Sequence, residues 1–246
     1  METMSKAHKY GKNDIETGTS NGQLYPNMIE DPKLRWAFIR KVYTILTVQL
    51  LCTVAVAAAV VFVRPIPNFL VSSWAGFGVY IAILIVPFIL LWPLHHFKNK
   101  HPWNFILLAL FTVAISCSVG VSCAFSKGRI VLESVILTTV VVISLTLYTF
   151  WAAKKERDFS FLGPILFCSL MVLIVFGIIQ IWFPLGKVSH MIWGALGAIV
   201  FSGFIIFDTY NLIKRFSYDE YVVAAVSLYL DIINLFLAIL GYSGSD

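Results

Sequence analysis

The chain has 246 residues, of which 59% are hydrophobic and only 13% are charged. Soluble domains carry about twice this share of charged residues, so the composition excludes an ordinary soluble protein and indicates an integral membrane protein. The formal net charge of +5 would suit a nucleic-acid-binding protein, but the basic residues follow a membrane pattern described below. Nucleotide-binding, metalloprotease and serine-hydrolase motifs do not occur in the sequence, and we expect no enzyme.

The first 35 residues are polar and contain three glycines and two prolines. They include no apolar core of the kind that a signal peptide requires. The composition predicts a flexible cytosolic tail over 1–35, followed by a membrane domain over 36–246. The first membrane helix would then act as its own targeting signal.

Apolar runs of about 20 residues or more, long enough to cross a bilayer, follow one another along the rest of the chain. Six are clear, at 38–63, 72–94, 104–126, 130–151, 161–183 and 190–212. A seventh run, 221–240, has the right length but carries Asp231 and Asn234, so it either spans the membrane or re-enters it; we favour a full span. The prediction is an all-α integral membrane protein with seven transmembrane helices, in contact with membrane lipid.

Lysine and arginine residues are distributed unevenly between the two sides of these spans. Of the 18 in the chain, 14 lie in the N-terminal segment and in the loops after the second, fourth and sixth spans. Basic residues are enriched on the cytosolic side of membrane proteins, so the N-terminus is predicted to be cytosolic. The same asymmetry accounts for the positive net charge without a nucleic-acid partner.

Two acidic residues interrupt the last two spans. Asp208 lies about eight residues before a turn centred on 217–219, and Asp231 lies about twelve residues after it. At about 1.5 Å per residue, these positions are roughly 12 and 18 Å deep in an antiparallel hairpin. The spacing predicts that both carboxyls lie near mid-membrane and are close enough to form a hydrogen bond.

Polar side chains accompany both acids. Ser227 and Asn234 share one helix face with Asp231, and Asn211 follows Asp208 by about one helical turn. These three residues are predicted to support the pair.

The fourth and sixth spans carry two further features. Glu133, near the start of the fourth span, either faces a vestibule or sits at the membrane interface. A stripe of small residues on the sixth span suits close helix contact: Gly194, Ala198 and Ser202.

A carboxylate inside a membrane is costly and is a functional candidate by default. Two close carboxyls can share one proton, so that the first acid ionises easily and the second with difficulty. The pair at Asp208 and Asp231 is therefore a candidate pH-dependent latch; the alternative is that each aspartate only caps or pairs locally, for example with Lys214. The site has fewer oxygens than a tight calcium site requires. We expect weak, transient calcium contact at the two aspartates, with calcium as a permeant ion and no cofactor.

The segments FIIFDTYNLI and YDEYVVAAVSLYLDIINLFL resemble the C-terminal motif pair of the transmembrane Bax inhibitor motif family, Lifeguard branch. RWAFIRKVYTILTVQLL and LTTVVVISLTLYTF are similar to the same branch, so that the resemblance covers about residues 30–241. It implies seven helices with a central helix enclosed by the others, and a di-aspartyl pH sensor at Asp208 and Asp231. It also implies a passive calcium leak and suppression of cell death. Some members have a basic residue in the second span that engages the pair, whereas 72–94 contain neither lysine nor arginine.

Three functions remain open at this point. The first is a pH-sensitive calcium leak gated by the acid pair. The second is an interaction protein that binds cell-death or receptor-signalling membrane proteins, in which the acids only stabilise the helix hairpin. The third is a proton-coupled transporter. Endoplasmic reticulum, Golgi and vacuolar membranes are all compatible with the sequence, and the resemblance favours such internal membranes.

Overall fold

The structure is a computed structural model, and it describes residues 32–63, 65–98, 100–183 and 186–244. Residues 1–31 of the predicted tail lie outside this part of the chain. The described residues contain eight α-helices and a short 3₁₀ helix, Tyr218–Glu220. In chain order the α-helices are α1 (Pro32–Phe62), α2 (Pro65–Ser72), α3 (Trp74–His96), α4 (Trp103–Ala124), α5 (Gly128–Lys154), α6 (Leu162–Trp182), α7 (Lys187–Lys214) and α8 (Tyr221–Ser243).

Seven of these helices, α1 and α3 to α8, are long and apolar enough to cross a membrane. Each corresponds to one predicted span, which confirms the all-α, seven-span fold class. The last helix has 23 residues, the length of a full span rather than of a re-entrant segment. The eight-residue helix α2 was not predicted, because it is too short to span; it begins at Pro65, contains Pro67, and is followed by Ser73, which caps α3.

Local signals explain where the first helices begin. Pro32 occupies the first position of α1, where its missing N–H costs nothing. The helix therefore starts four residues before the boundary that composition suggested, and 32–35 are helical. The hydroxyl of Ser73 accepts a hydrogen bond from the Gly76 N–H at 2.9 Å and caps α3. This cap separates α2 from α3, and α3 then continues through Pro87 and Pro93.

The last helix is the centre of the bundle. In the span that contains α8, 72% of the most apolar stretch is buried inside the protein, whereas the other described spans reach at most 39%. This helix packs against α1, α4, α5 and α7. The expected central helix is therefore confirmed, and it is α8. Apolar side chains on the outer helices, such as Trp74 and Ile181, face outward where lipid would be.

Two glycines bring α7 and α8 close together. A Cβ added at Gly194 would lie 2.8 Å from the carbonyl oxygen of Ala238 and 2.9 Å from the backbone nitrogen of Tyr242. A Cβ added at Gly197 would lie 3.2 Å from the Cβ of Ala238. Small residues permit this approach of two helix backbones, and the approach sets the distance between the faces that carry the two aspartates.

The alternation of spans gives the bundle two ends. We call the end where α1 begins and α7 turns into α8 the N-terminal face. The opposite end, where α5 and α7 begin, is the far face. The turn between α7 and α8 lies at the N-terminal face and carries a capping box, in which Ser217 and Glu220 satisfy each other's backbone groups.

Candidate functional site: a buried carboxyl pair

The carboxyl groups of Asp208 on α7 and Asp231 on α8 lie within hydrogen-bonding contact of each other. Asp231 is only 7% exposed. The Nδ2 amide of Asn211 donates to Oδ1 of Asp208 at 3.5 Å, a long hydrogen bond. The α7–α8 hairpin thus brings the two acids and Asn211 together inside the bundle.

Two oxygens of this cluster have no hydrogen-bond partner in the described part of the chain: Oδ2 of Asp231 and Oδ1 of Asn211. Both atoms are acceptors, and a buried acceptor without a donor costs free energy. The cluster is therefore short of positive charge or protons. A proton shared by the two carboxyls, or a cation held by the free oxygens, would each remove this deficit.

The other predicted site residues are not bonded to the pair in the part of the chain that the structure describes. Ser227 and Asn234 are partly buried on α8 and form no hydrogen bond with either acid among the described residues. Glu133 is exposed and accepts a hydrogen bond from Nε of Arg129 at 2.8 Å, on the far-face half of α5. Lys214, the alternative partner for Asp208, forms no ion pair with it within the described ranges.

Arg35 connects the start of α1 to the end of α7. Its side chain is buried, and Nη1 donates to the carbonyl oxygens of Leu212 at 3.3 Å and Phe216 at 2.7 Å. The guanidinium also lies 5.4 Å from the ring centre of Phe38 and 5.5 Å from that of Tyr218. A cation here satisfies carbonyls that the helix end leaves unpaired. From the sequence alone, Arg35 is only one of several basic residues that precede the first span.

A second set of contacts holds the start of α8. The Nδ2 amide of Asn104 donates to the Tyr221 hydroxyl at 2.9 Å. The ammonium group of Lys98 lies 3.6 Å from Oε1 of Glu220, and that of Lys41 lies 3.2 Å from the centre of the Tyr221 ring. The turn that joins the two aspartate helices is therefore fixed from α1, α4 and the α3–α4 loop.

The loop between α5 and α6 attaches to α7 two residues beyond Asp208. Asp158 accepts hydrogen bonds from the backbone N–H of Ser160 at 2.8 Å and from the Tyr210 hydroxyl at 2.9 Å. The Ser160 hydroxyl also bonds to Asp158 and accepts from Arg215. The hydrogen bonds from Ser160, followed by that from Tyr210, hold the pKa of Asp158 below its ordinary value. Asp158 therefore stays ionised, and the attachment stays intact, across the neutral and mildly acidic range.

A chain of buried polar side chains links α1, α4 and α8 along another face of the central helix. Gln49 donates to the Thr112 hydroxyl at 3.0 Å, and Ser116 donates to the Thr53 hydroxyl at 3.0 Å. Thr53 and the hydroxyl of Tyr229 are 2.7 Å apart. Gln49 and Thr53 on α1, and Thr112 and Ser116 on α4, are each spaced i, i+4, and this repeat is the only sign of the polar chain in the sequence. Because such residues usually bond to their own helix, the repeat does not by itself predict contacts between helices.

Within the described residues, no group of three or more histidine, cysteine, aspartate or glutamate side chains could hold a metal ion. The pair of carboxyls with one amide is a poorer donor set than the six to eight oxygens of a tight calcium site. Weak calcium contact at Asp208 and Asp231 stays a prediction.

The fold and the site together define a class: a helical membrane protein in which an enclosed C-terminal helix pairs its acid with that of its neighbour. The family model described as "Inhibitor of apoptosis-promoting Bax1" matches residues 35–245, nearly the whole of that fold. The chain belongs to the Bax inhibitor-1 family.

Similar proteins identify the branch. The chain is 60% identical over 233 residues to "Protein LIFEGUARD 4" of Arabidopsis thaliana, covering 94% of each chain. It is 38% identical over 209 residues to "Protein lifeguard 4" of Mus musculus, covering 85% of each. It is 39% identical over 207 residues to "Golgi anti-apoptotic protein" of Vaccinia virus (strain Lister), covering 84% of each. The Lifeguard resemblance is thereby confirmed.

Proposed function

We propose that this protein is a pH-sensitive calcium leak of an internal membrane, gated by the Asp208–Asp231 pair. The observation that supports the proposal is the contact between the buried carboxyl of Asp231 and the partly buried carboxyl of Asp208, in a cluster that keeps acceptor oxygens unpaired. Such a cluster responds to both protons and cations, which are the two species that a pH-sensitive calcium leak must recognise.

In the closed state, one proton is shared between the carboxyls and joins α7 to α8. When that proton leaves, two negative charges face each other a few ångströms apart. At an effective dielectric near 20 their repulsion is about 4 kcal/mol, enough to change the populations of two helix arrangements by several hundredfold. The helices then separate, and the oxygens of Asp208, Asp231 and Asn211 become available to a passing cation. Flux should therefore rise as the pair ionises.

We further propose that the leak suppresses cell death by lowering the calcium held in an internal store. The name of the viral relative, "Golgi anti-apoptotic protein", supports both the role and a Golgi membrane as one location. Endoplasmic reticulum and vacuolar membranes fit the same function. The 14-to-4 distribution of basic residues supports a cytosolic N-terminal face.

Calcium flux through liposomes that contain only this protein tests the proposal. We expect wild-type flux to rise with pH, and Asp208→Asn and Asp231→Asn each to flatten that profile, because a single carboxylate feels no repulsion. The double variant should resemble a single one in its pH response, since the two acids act as a unit. Asp219→Asn is the matched control: Asp219 is exposed at the turn, and its neutralisation should leave the profile unchanged.

Two results would contradict the proposed calcium leak and favour one of the other functions. If both single variants keep the wild-type pH profile, the acids are structural, and the interaction-protein function gains. If an imposed proton gradient drives calcium against its own gradient, the protein is a proton-coupled transporter rather than a passive leak.

A further inference from the structure

An open cavity of about 720 Å³ lies at the far face of the bundle, at the opposite end of α8 from the turn. Ser122 at the end of α4, Ser126 in the loop that follows and the last turns of α8 line it. Three basic side chains line it as well: Lys127, Lys187 and His190. The basic groups come from separate segments that the fold brings to one concave surface.

The three basic side chains are without partners in the described part of the chain. None of them forms an ion pair or a side-chain hydrogen bond there, and no acidic residue is among the described residues that line the cavity. Arg129 offers the contrast: it lies two residues from Lys127, outside the cavity, and pairs with Glu133. Lysine ammonium groups that converge without a counter-charge among the described lining residues repel one another and favour a bound anion.

Two long helices begin at the same cavity. Lys127 is the residue before α5, and its side chain does not cap the helix. Lys187 is the first residue of α7, and it follows Gly186, which has no side chain with which to cap. Helix N-termini without caps present free N–H groups and the positive end of the helix dipole. The free N–H groups are suited to an anion. Because α4 and α8 end at the same cavity, the helix dipoles offset one another there, and the positive potential comes from the basic side chains.

The position of the cavity in the membrane indicates the kind of anion that it binds. Both lysines lie where membrane-spanning helices begin, at the depth of lipid headgroups. The Ser122 and Ser126 hydroxyls already donate to backbone carbonyls within α4, so binding depends on the basic side chains and the helix ends. A phosphate group offers several acceptor oxygens to donors that arrive from different directions, and lysine is a common phosphate ligand.

We propose that the far-face cavity binds a phosphate-bearing anion through Lys127, Lys187 and His190. The proposal is independent of the calcium leak, because it involves neither aspartate. Its ligand is a lipid headgroup phosphate or free phosphate, which share this chemistry.

The test uses the full-length protein and two probes. Native mass spectrometry of the detergent-solubilised protein would compare retention of phosphatidylglycerol with retention of phosphatidylcholine of the same acyl chains. Phosphorus NMR line broadening would follow inorganic phosphate. The Lys127→Gln, Lys187→Gln double variant should lose about tenfold in affinity for the phosphate-bearing probe, since charge-assisted hydrogen bonds are lost. Both lysines are exposed, so the variant should fold.

Arg129→Gln is the matched control, since it removes a positive charge from the same face and should change affinity by less than about twofold. Retention of phosphatidylglycerol without phosphate broadening assigns a lipid headgroup; sensitivity of both probes to the lysines assigns the phosphate group itself. The proposal is overturned if wild type binds neither probe, if the double variant binds like wild type, or if Arg129→Gln weakens binding equally.

Discussion

At the scale of single residues, the clearest arrangement is the one at Arg35, which caps the end of α7. Arg35 and Leu212, whose carbonyl it contacts, are 177 residues apart in the chain. The cap is a buried guanidinium that bonds to two carbonyls and contacts two aromatic rings. It fixes the end of the helix that carries Asp208. A substitution there should therefore act on the turn as well as on overall stability.

We expect Arg35→Gln to lower the free energy of unfolding by about 1.5–3 kcal/mol, the usual worth of hydrogen bonds to a charged group. Arg35→Lys should recover only part of this loss, because an ammonium lacks the planar fork of the guanidinium. Thermal unfolding in detergent measures both, and hydrogen exchange at 212–220 should report a loosened turn. Arg40→Gln, at an exposed position of the same helix, should stay within about 0.5 kcal/mol of wild type. Equal losses in the two glutamine variants would contradict the capping role.

The sequence singles out the two aspartates but not the polar chain between α1, α4 and α8, and the reason is chemical. Aspartate inside an apolar run is conspicuous because nothing in a helix satisfies it. Thr53 and Ser116 are not conspicuous, since each also donates to a carbonyl of its own helix. Their second role, in the hydrogen bonds that join α4 to α1 and α1 to α8, depends on which faces meet. Those faces exist only in the folded bundle.

At the scale of elements, the α7–α8 hairpin depends on the backbone contact at Gly194. Any side chain there meets the Ala238 carbonyl and the backbone of Tyr242, neither of which can move aside as a flexible side chain would. Gly194 is the glycine of the predicted small-residue stripe, and its Cα lies against the backbone of α8.

Gly194→Ala should separate the two helices and cost about 1–3 kcal/mol, the typical penalty for overpacking. A Cβ at Gly78 on α3 meets nothing within 4 Å, so Gly78→Ala is the control and should be neutral or slightly stabilising. Thermal unfolding compares the two variants. A distance measurement between labels on α7 and α8 should lengthen only for Gly194→Ala, and an unchanged distance with unchanged stability would count against the close contact.

The sequence predicts the number of spans better than it predicts where individual helices begin and end. The seven spans were found because length and apolarity alone define a membrane helix. The start of α1 was placed too late, because Pro32, Lys33 and Arg35 look like a polar flank, whereas proline is well suited to a first helical position and Arg35 turns inward. The break between α2 and α3 depends on the Ser73 cap, a single hydroxyl inside an apolar stretch.

At the scale of the whole molecule, seven spans place the two ends of the described chain on opposite faces. Together with the basic-residue asymmetry, this predicts a cytosolic N-terminus and a C-terminus on the luminal or exterior side.

A protease-protection assay on sealed vesicles tests this orientation. An N-terminal tag should be digested in intact vesicles, and a C-terminal tag should be protected until detergent is added. Protection of the N-terminal tag would reverse the orientation, and digestion of both tags would contradict the seventh span.

Composition identified the number of spans but could not identify the enclosed helix. Most of these helices are apolar on all sides, so the sequence indicates no preferred face for packing. The polar stripe at Ser227, Asp231 and Asn234 was the only hint that α8 should avoid lipid. Family resemblance supplied the central helix, and the burial of α8 identifies it.

The burial of α8 also has a consequence for how the protein is made. The helix at the centre of the bundle follows all the other described spans in the chain, so each surrounding span is synthesised before its packing partner. Until then, Gln49, Thr53, Thr112 and Ser116 face lipid or one another, and the binding surface for the last helix is empty. Quality-control factors that recognise exposed polar groups within the bilayer would meet such a nascent chain at its most vulnerable stage. Formation of the α7–α8 hairpin is thus the step at which these polar groups gain their partners on the central helix.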